Sequence, residues 1–345
     1  MYDVIVIGAG PIGLYLATKF KERGYSVLVL EKKERIGEKP CTGLVSPSIF
    51  SFVPKKDFYI EREFSQAIIW IEDKPFHFFG KAVLLNRQRF DQYLFEKAKA
   101  KGVKIILKQM ALKVEERKDF VRVITKDKKT FKGKIVAGCD GALSTVGQQL
   151  NLPIQKKLLL GVITYLPNKK LLQAQEVPEL FFSKEFPGFF AWQVPRSNCI
   201  EYGLALEAKY KPKERLTRFL RDKLKITNFK DFRVSLIPFY PLKKTIKGRV
   251  FLCGDAAGQN KPYTGGGLVY GLTCAQIASE VIDPDGSDFE IYEKKWRKVL
   301  QREIFFEDLI RRCYRLPNLI KRIGLQLLSQ KRNLDQDKPF KSIFF

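Results

Sequence analysis

The apolar positions of the first thirty residues change period twice. Residues 3–7 carry the pattern of a short buried strand, residues 11–23 repeat at helical spacing until Gly24 ends them, and residues 26–30 return to a buried-strand run. Strand, turn, helix and strand in that order open a doubly wound sheet. Residues 32–54 hold several Gly and Pro and read as loop. Short strands are expected at 68–71 and 76–79, a helix at 89–101 and a strand at 103–107. Residues 111–116, 120–126 and 130–136 form a meander that turns at 126–129. From 158 to 206 the character changes. Residues 158–166, 179–182, 189–194 and 201–206 alternate or run apolar at strand length, which predicts an antiparallel sheet with one face covering something. Helices are expected at 213–224, 267–282 and 289–312, with a strand at 250–253 that ends on Gly254-Asp255.

Composition narrows this picture. A chain of 345 residues with 45% hydrophobic content suits two interleaved domains and a terminal element. Its 63 Lys+Arg against 37 Asp+Glu give +26, which favours anionic partners: lipid head groups, phosphorylated substrates or acidic proteins. No nucleic-acid motif claims the charge, and abundant Lys and Glu also mark hot-growing sources. The six cysteines are scattered without CxxC or metal spacing, as expected of reduced thiols in a cytoplasm. A single histidine, His77, argues against a His-based triad or a multi-His metal site, and no metal is expected. Nothing at the N-terminus reads as a signal peptide, and no run is apolar enough to span a bilayer.

The chemistry is carried by glycines and acids. Gly8-Ala9-Gly10-Pro11-Ile12-Gly13 is GxGxxG, placed after a strand and opening a helix, with Glu31 at the end of the next strand. Gly8 permits the tight turn, Gly10 the approach of a pyrophosphate, Gly13 the packing of helix on strand, and Glu31 would accept from ribose hydroxyls. Three further signals favour FAD over NAD. Asp255 follows a strand and precedes small residues, where it would hold a ribityl chain. Gly265, Gly266 and Gly267 open a helix whose amides would face the flavin pyrimidine edge. Asp140-Gly141 follows the apolar run 135–137. The expected fold is therefore α/β: a Rossmann-type FAD-binding domain with a mostly parallel sheet (1–44, 81–155 and 245–288), an inserted antiparallel-sheet substrate domain (45–80 and 156–244) and a C-terminal helical segment (289–345).

Over roughly residues 1–275 the chain resembles the geranylgeranyl reductase family of FAD-dependent enzymes, within the p-hydroxybenzoate-hydroxylase-like flavoproteins. Arg87-Gln-Arg-Phe-Asp91-Gln-Tyr-Leu94 puts Arg87 at the group's flavin-contacting arginine, and Asp140-Gly141 and Gly254-Asp255 match its Asp-Gly and Gly-Asp motifs. Cys41-Thr-Gly-Leu-Val-Ser46 resembles the reductases' cysteine-glycine loop near the flavin. Pro187-Gly-Phe-Phe-Ala-Trp-Gln-Val-Pro195 resembles their PxxYxWxFP substrate motif, with Phe190 in place of Tyr and Val194 in place of Phe. The chain is shorter at its C-terminal end than many members. The resemblance implies hydride transfer from FAD to a C=C bond of an isoprenoid lipid or diphosphate, with a pocket that includes Phe190, Trp192, Val194 and Tyr263.

A proton must reach the second carbon. Cys41 is the candidate beside the flavin, as donor, gate or shape element, with Tyr263 and water as other donors, while His77 reads as structural. Phe181, Phe182, Phe186, Phe189, Phe190 and Trp192 suit either an apolar tunnel or ordinary core. No second GxGxxG follows a strand, so ferredoxin or NAD(P)H is expected as a transient electron donor. Between 311 and 345 nine Lys/Arg face two acids, and Leu316, Leu319, Ile320, Ile323 and Leu327 recur at helical spacing. That segment suits either an anionic membrane surface, with peripheral cytoplasmic localisation, or a terminal helix packed on the body. The rival readings are an FAD-dependent monooxygenase of the same fold and a peripheral membrane electron carrier.

Overall fold

The computed structural model describes residues 1–155, 157–167, 177–229, 231–329 and 335–339. Strand β1 (Tyr2–Ile7) passes through the glycine turn into α1 (Pro11–Glu22) and returns as β2 (Val27–Leu30). Pro11 suits the first helical turn because its missing N–H has no partner there to lose. A short β3 (Leu44–Val45) precedes a hairpin of β4 (Ile60–Ile71) and β5 (Lys74–Leu85). Helix α2 (Arg87–Ala100) is capped by Asn86, whose side chain accepts from Arg89 N. Next come β6 (Lys104–Ile106), the meander β7 (Ala111–Glu116), β8 (Val121–Thr125) and β9 (Thr130–Gly138), and a short α3 (Thr145–Gln149). Strands β10 (Leu158–Pro167), β11 (Glu179–Phe182), β12 (Ala191–Pro195) and β13 (Cys199–Leu206) follow. Helix α4 (Pro212–Arg218) runs into a π-helical turn, Phe219–Lys223. Then come β14 (Arg233–Pro238), β15 (Ile246–Lys247) and β16 (Val250–Leu252), and the helices α5 (Leu268–Val281), α6 (Ile291–Cys313) and α7 (Asn318–Ser329).

Two sheets result, and the α/β architecture is the one expected. The first has the order β15-β16-β9-β1-β2-β6, with β7 and β8 attached through β9. Its centre is parallel: β1 pairs with β2 and β9, β9 with β16, and β2 with β6. Alternation along β1 sorts its two faces. Val4 and Val6 pack with α1, α5 and α6, while Ile5 and Ile7 pack under the meander. The second sheet, β14-β10-β13-β12-β11-β4-β5-β3, is antiparallel except where β11 meets β4. Phe181 and Phe186 on its outer side pack against Phe219 of the π turn, so the six aromatic residues of this region do not share one surface.

Three local expectations are corrected. The short strands at 68–71 and 76–79 are the inner ends of a hairpin with twelve residues in each arm. Charged residues and two register shifts break the alternation of β4 and hide its length. Strand β14 had no counterpart in the reading, because it lies at the sheet edge and leaves Val234 exposed. The strand expected from 189 begins at Ala191. Phe189 and Phe190 stack on each other with centroids 4.4 Å apart, whereas neighbours in an extended strand point to opposite faces. Among the described residues no helix is long and apolar enough to cross a membrane.

Candidate flavin and substrate site

The glycine turn is shaped by contact on one side and room on the other. Gly8 sits at φ +105, and a Cβ there would lie 2.4 Å from the Cys139 carbonyl oxygen. A Cβ on Gly13 would lie 2.0 Å from Gly8 O, so helix and turn touch at that point. At Gly10 a Cβ would meet nothing within 4 Å. No side chain caps α1, which leaves its first amides for another acceptor. Glu31 is buried just after β2. Its Oε2 accepts from Ala9 N at 2.7 Å and its Oε1 from Lys33 N at 2.9 Å. This set fits an adenine dinucleotide: a carboxylate fixed beside the turn, and open space before Gly10 and the amides.

Asp255 follows β16, and its Oδ2 pairs with Lys39 Nζ at 2.5 Å; the attraction raises the Lys39 ammonium above its ordinary range. A Cβ on Gly267 would come within 2.8 Å of Asp255 Oδ1, so only glycine lets the carboxylate approach the start of α5. Gly265 adopts φ +73, and the loop closes through Lys261 N to Gly266 O and Gly265 N to Lys261 O, at 3.0 and 2.8 Å. Asp140 Oδ2 accepts from Val146 N at 3.1 Å and so caps α3, while its buried Oδ1 has no partner. Burial raises the Asp140 carboxyl above its usual range, so a donor from a bound group would satisfy a costly orphan.

Arg87 opens α2 and is buried. It forks onto Asp91 at 3.0 and 3.1 Å and lies within hydrogen-bonding reach of Cys41. Burial opposes its charge, but the Asp91 carboxylate outweighs that, and the guanidinium is held protonated. Gly43, at φ +79, anchors the cysteine loop by accepting from Leu85 N at 2.9 Å. Cys41 is half-buried, with Lys39 as a further neighbour.

Trp192 stands on β12 and donates from Nε1 to Glu201 Oε1 at 3.0 Å. Its ring lies over Gly203, where a Cβ would come within 2.2 Å of it. Val194 packs with Phe64 and Leu84. Phe190 contacts Trp192 and joins Phe182 and Phe189 around Tyr314 at the end of α6. Tyr263 is tied down: its hydroxyl donates to Gln336 O at 2.6 Å, and its own carbonyl accepts from Tyr314 OH. Burial, with Glu307 nearby, pushes this phenol well above its usual range, which makes it a poor proton donor. His77 is exposed on β5 opposite Ile68, on the hairpin and apart from these groups.

The structure thus gathers Cys41, Arg87, Lys39 and Asp255 at one place, and it joins Trp192 to the cysteine loop through a residue the sequence reading missed. Glu201 accepts from both Trp192 Nε1 and the Thr42 hydroxyl. Its signal was available as a lone carboxylate in the otherwise apolar strand β13. Arg196, Lys39 and the pair Lys261–Asp337 were also missed: Glu201 is five positions from Arg196, but Glu61, Asp255 and Asp337 lie too far along the chain from Arg196, Lys39 and Lys261 for spacing to reveal them.

A family model described as pyridine nucleotide-disulphide oxidoreductase matches residues 5–158. The digeranylgeranylglycerophospholipid reductase of Methanocaldococcus jannaschii is 29% identical over 329 residues, covering 86% of this chain and 83% of the relative. The protein of that name from Methanococcus vannielii is 27% identical, covering 90% and 87%. Among solved structures, a geranylgeranyl bacteriochlorophyll reductase-like protein from Thermoplasma acidophilum superposes with a TM-score of 0.87 at 20% identity, covering 99% and 95%. The p-nitrophenol 4-monooxygenase of Pseudomonas putida gives 0.79 at 17% identity, covering 99% and 96%, so the fold is common to reductases and monooxygenases. The relatives' names and the family model over residues 5–158 agree: the chain is an FAD-dependent oxidoreductase that resembles the geranylgeranyl reductase family.

Proposed function

We propose that the protein saturates C=C bonds of geranylgeranyl chains, carried on a diphosphate or a membrane lipid. One row of residues supports this reading most directly. Ile69, Leu180, Trp192, Gly203 and Ile163 stand in register across β4, β11, β12, β13 and β10, and therefore on one face. At the end of that sheet Ile237 touches the flavin loop: a Cβ on Gly265 would lie 2.8 Å from Ile237 Cγ2 and 3.8 Å from Phe189 Cζ. An apolar wall thus abuts the loop that would hold the flavin. Removing a C20 chain from water is worth about 16 kcal/mol at about 0.8 kcal/mol per CH₂, and a wall of this kind is what such a chain requires. The relatives' names give the chemistry of that chain.

When bound, reduced FAD supplies the hydride, and the second carbon takes a proton. The glycine turn, Glu31, Arg87, Asp140, Asp255 and Gly265–Gly267 hold and orient the cofactor. Trp192, Phe190 and Val194 shape the apolar wall and exclude water. We assign Cys41 the place beside the reacting carbons, because Tyr263 is engaged and shifted against proton release. Electrons arrive from a docking donor, ferredoxin or NAD(P)H. Helix α7 gives the reading a location. Arg322 on its inner side donates to Ile71 O, while Leu319, Ile320, Ile323 and Leu327 are exposed on its outer side. Lys331, Arg332 and Lys341 of the basic tail lie outside the described residues. A basic segment whose apolar face is exposed among the described residues suits peripheral attachment to an anionic membrane, where the substrate lipid resides.

The test is anaerobic incubation of the holoprotein with reductant and geranylgeranyl lipid, followed by mass spectrometry. Lipids heavier by pairs of hydrogens support the reading. Oxygen-dependent hydroxylation would favour the monooxygenase, and quinone reduction without saturation the electron carrier.

A further inference from the structure

On the second sheet, beside the loop that leads into β3, lies a polar cluster that binding and hydride transfer leave without a task. Glu201 is its centre and is fully buried. Its Oε1 accepts from Trp192 Nε1 at 3.0 Å and from the Thr42 hydroxyl, and its Oε2 accepts from Arg196 NH1 at 2.8 Å. Arg196 also donates to Thr42 O at 2.9 Å and forks onto Glu61 at 3.0 and 3.1 Å. The Tyr165 ring lies 5.8 Å from that guanidinium. A carboxylate this deep persists only because donors converge on it, and each donor then has its direction fixed.

Two functional elements meet at this one carboxylate. The Trp192 indole is pinned at its nitrogen by Glu201 and supported from beneath by the bare backbone of Gly203. Any other rotamer would strand the indole N–H. The same oxygen holds Thr42, the neighbour of Cys41, and Arg196 repeats the link through the Thr42 carbonyl. A shift of the carboxylate therefore moves the apolar wall and the cysteine loop together.

We propose that Glu201 is a positioning residue that couples Trp192 to the Thr42–Cys41 loop and thereby sets which double bond of a bound chain is presented beside that loop. The choice of double bond rests on the reductase reading; the coupling does not. Three variants test it. Thr42→Val keeps the shape and removes the hydroxyl, Trp192→Phe removes the indole N–H, and Glu201→Gln keeps an acceptor for Trp192 but turns a donor toward Arg196.

The first readout is the rate of Cys41 alkylation by iodoacetamide in the FAD-loaded protein, resolved by peptide mass spectrometry. Trp192→Phe and Thr42→Val should each change it by ~3-fold or more, and the double variant by no more than the larger single effect. A Trp192→Phe protein whose Cys41 reacts at the wild-type rate overturns the coupling. The second readout is the distribution of saturation states in a geranylgeranyl lipid, which Glu201→Gln should shift while FAD stays bound. An unchanged distribution overturns the role in choosing the double bond. If the wild type reduces no lipid, the reductase reading fails, and the alkylation rates still decide the coupling.

Discussion

Lys261 and Asp337, 76 positions apart, form an ion pair at 2.7 Å with side chains only 5% and 2% exposed. Asp337 also accepts from the Ser46 hydroxyl, so one carboxylate ties the end of β3 to the loop before α5. Removing one member strands a buried charge and costs about 3–5 kcal/mol. Asp337→Ala should lower the unfolding free energy by that amount in urea titrations. Breaking the exposed pair Lys108–Glu34 should change nothing measurable. An Asp337→Ala protein that unfolds with the wild type would mean the segment 335–339 is not held there in solution.

The glycine turn separates folding from cofactor binding. Gly10 has φ −71, and a Cβ there meets no atom within 4 Å. Gly10→Ala should leave the apoprotein as stable as before, or stabilise it by about 0.4–1 kcal/mol, while weakening FAD retention. Gly13→Ala forces a Cβ against Gly8 O and should destabilise even the apoprotein. Melting curves with and without FAD distinguish the two. Equal FAD affinity in Gly10→Ala and wild type would remove the pyrophosphate from that position.

Glu307 gives the stability a pH dependence of known sign. Burial raises its carboxyl well above 4.5, and Oε2 has no partner. The folded state then binds the proton more tightly than the unfolded state does. The stability this confers is present below about pH 4.5 and is lost as pH rises toward the raised folded value. Glu307→Gln carries no such penalty. Urea midpoints should favour the variant increasingly from pH 5 to pH 8. A difference independent of pH would show that Glu307 is ionised in the fold.

Much of this was readable in the chain because it rests on local rules. The turn at Gly8–Gly13, the end of β2 at Glu31 and the helix after Gly267 depend on glycine sterics and period, which spacing records. Trp192 came from a motif that extends over only nine residues. Glu201 stood out only as a lone carboxylate in an apolar strand, and its role, like those of Arg196 and Asp337, comes from partners such as Thr42, Glu61 and Lys261 that lie far along the chain. The full arms of the β4–β5 hairpin escaped for a related reason. Glu61 is largely covered by Arg196 from another segment, so polarity there does not report exposure.

Helix α7 predicts how the protein meets lipid. Leu319 is 70% exposed, and Ile323 and Leu327 lie on the same side. Leu319→Glu with Ile323→Glu should abolish flotation with vesicles containing phosphatidylserine and leave FAD content intact. Wild-type flotation should fall with salt, since each basic residue near the surface contributes about 1 kcal/mol or less. Equal flotation with neutral and anionic vesicles would remove the electrostatic contribution.

The central claim is that this flavoprotein reduces isoprenoid double bonds, and the most direct measurement is the mass of the lipid itself. Purified holoprotein, reduced with dithionite without oxygen, is incubated with a geranylgeranyl glycerophospholipid and the extracted lipid is weighed by mass spectrometry. The account predicts a ladder of products, each heavier than the last by two hydrogens, that is absent from protein stripped of FAD. Lipid of unchanged mass, from protein whose FAD is demonstrably reduced and with ferredoxin or NADPH also tried, would contradict it.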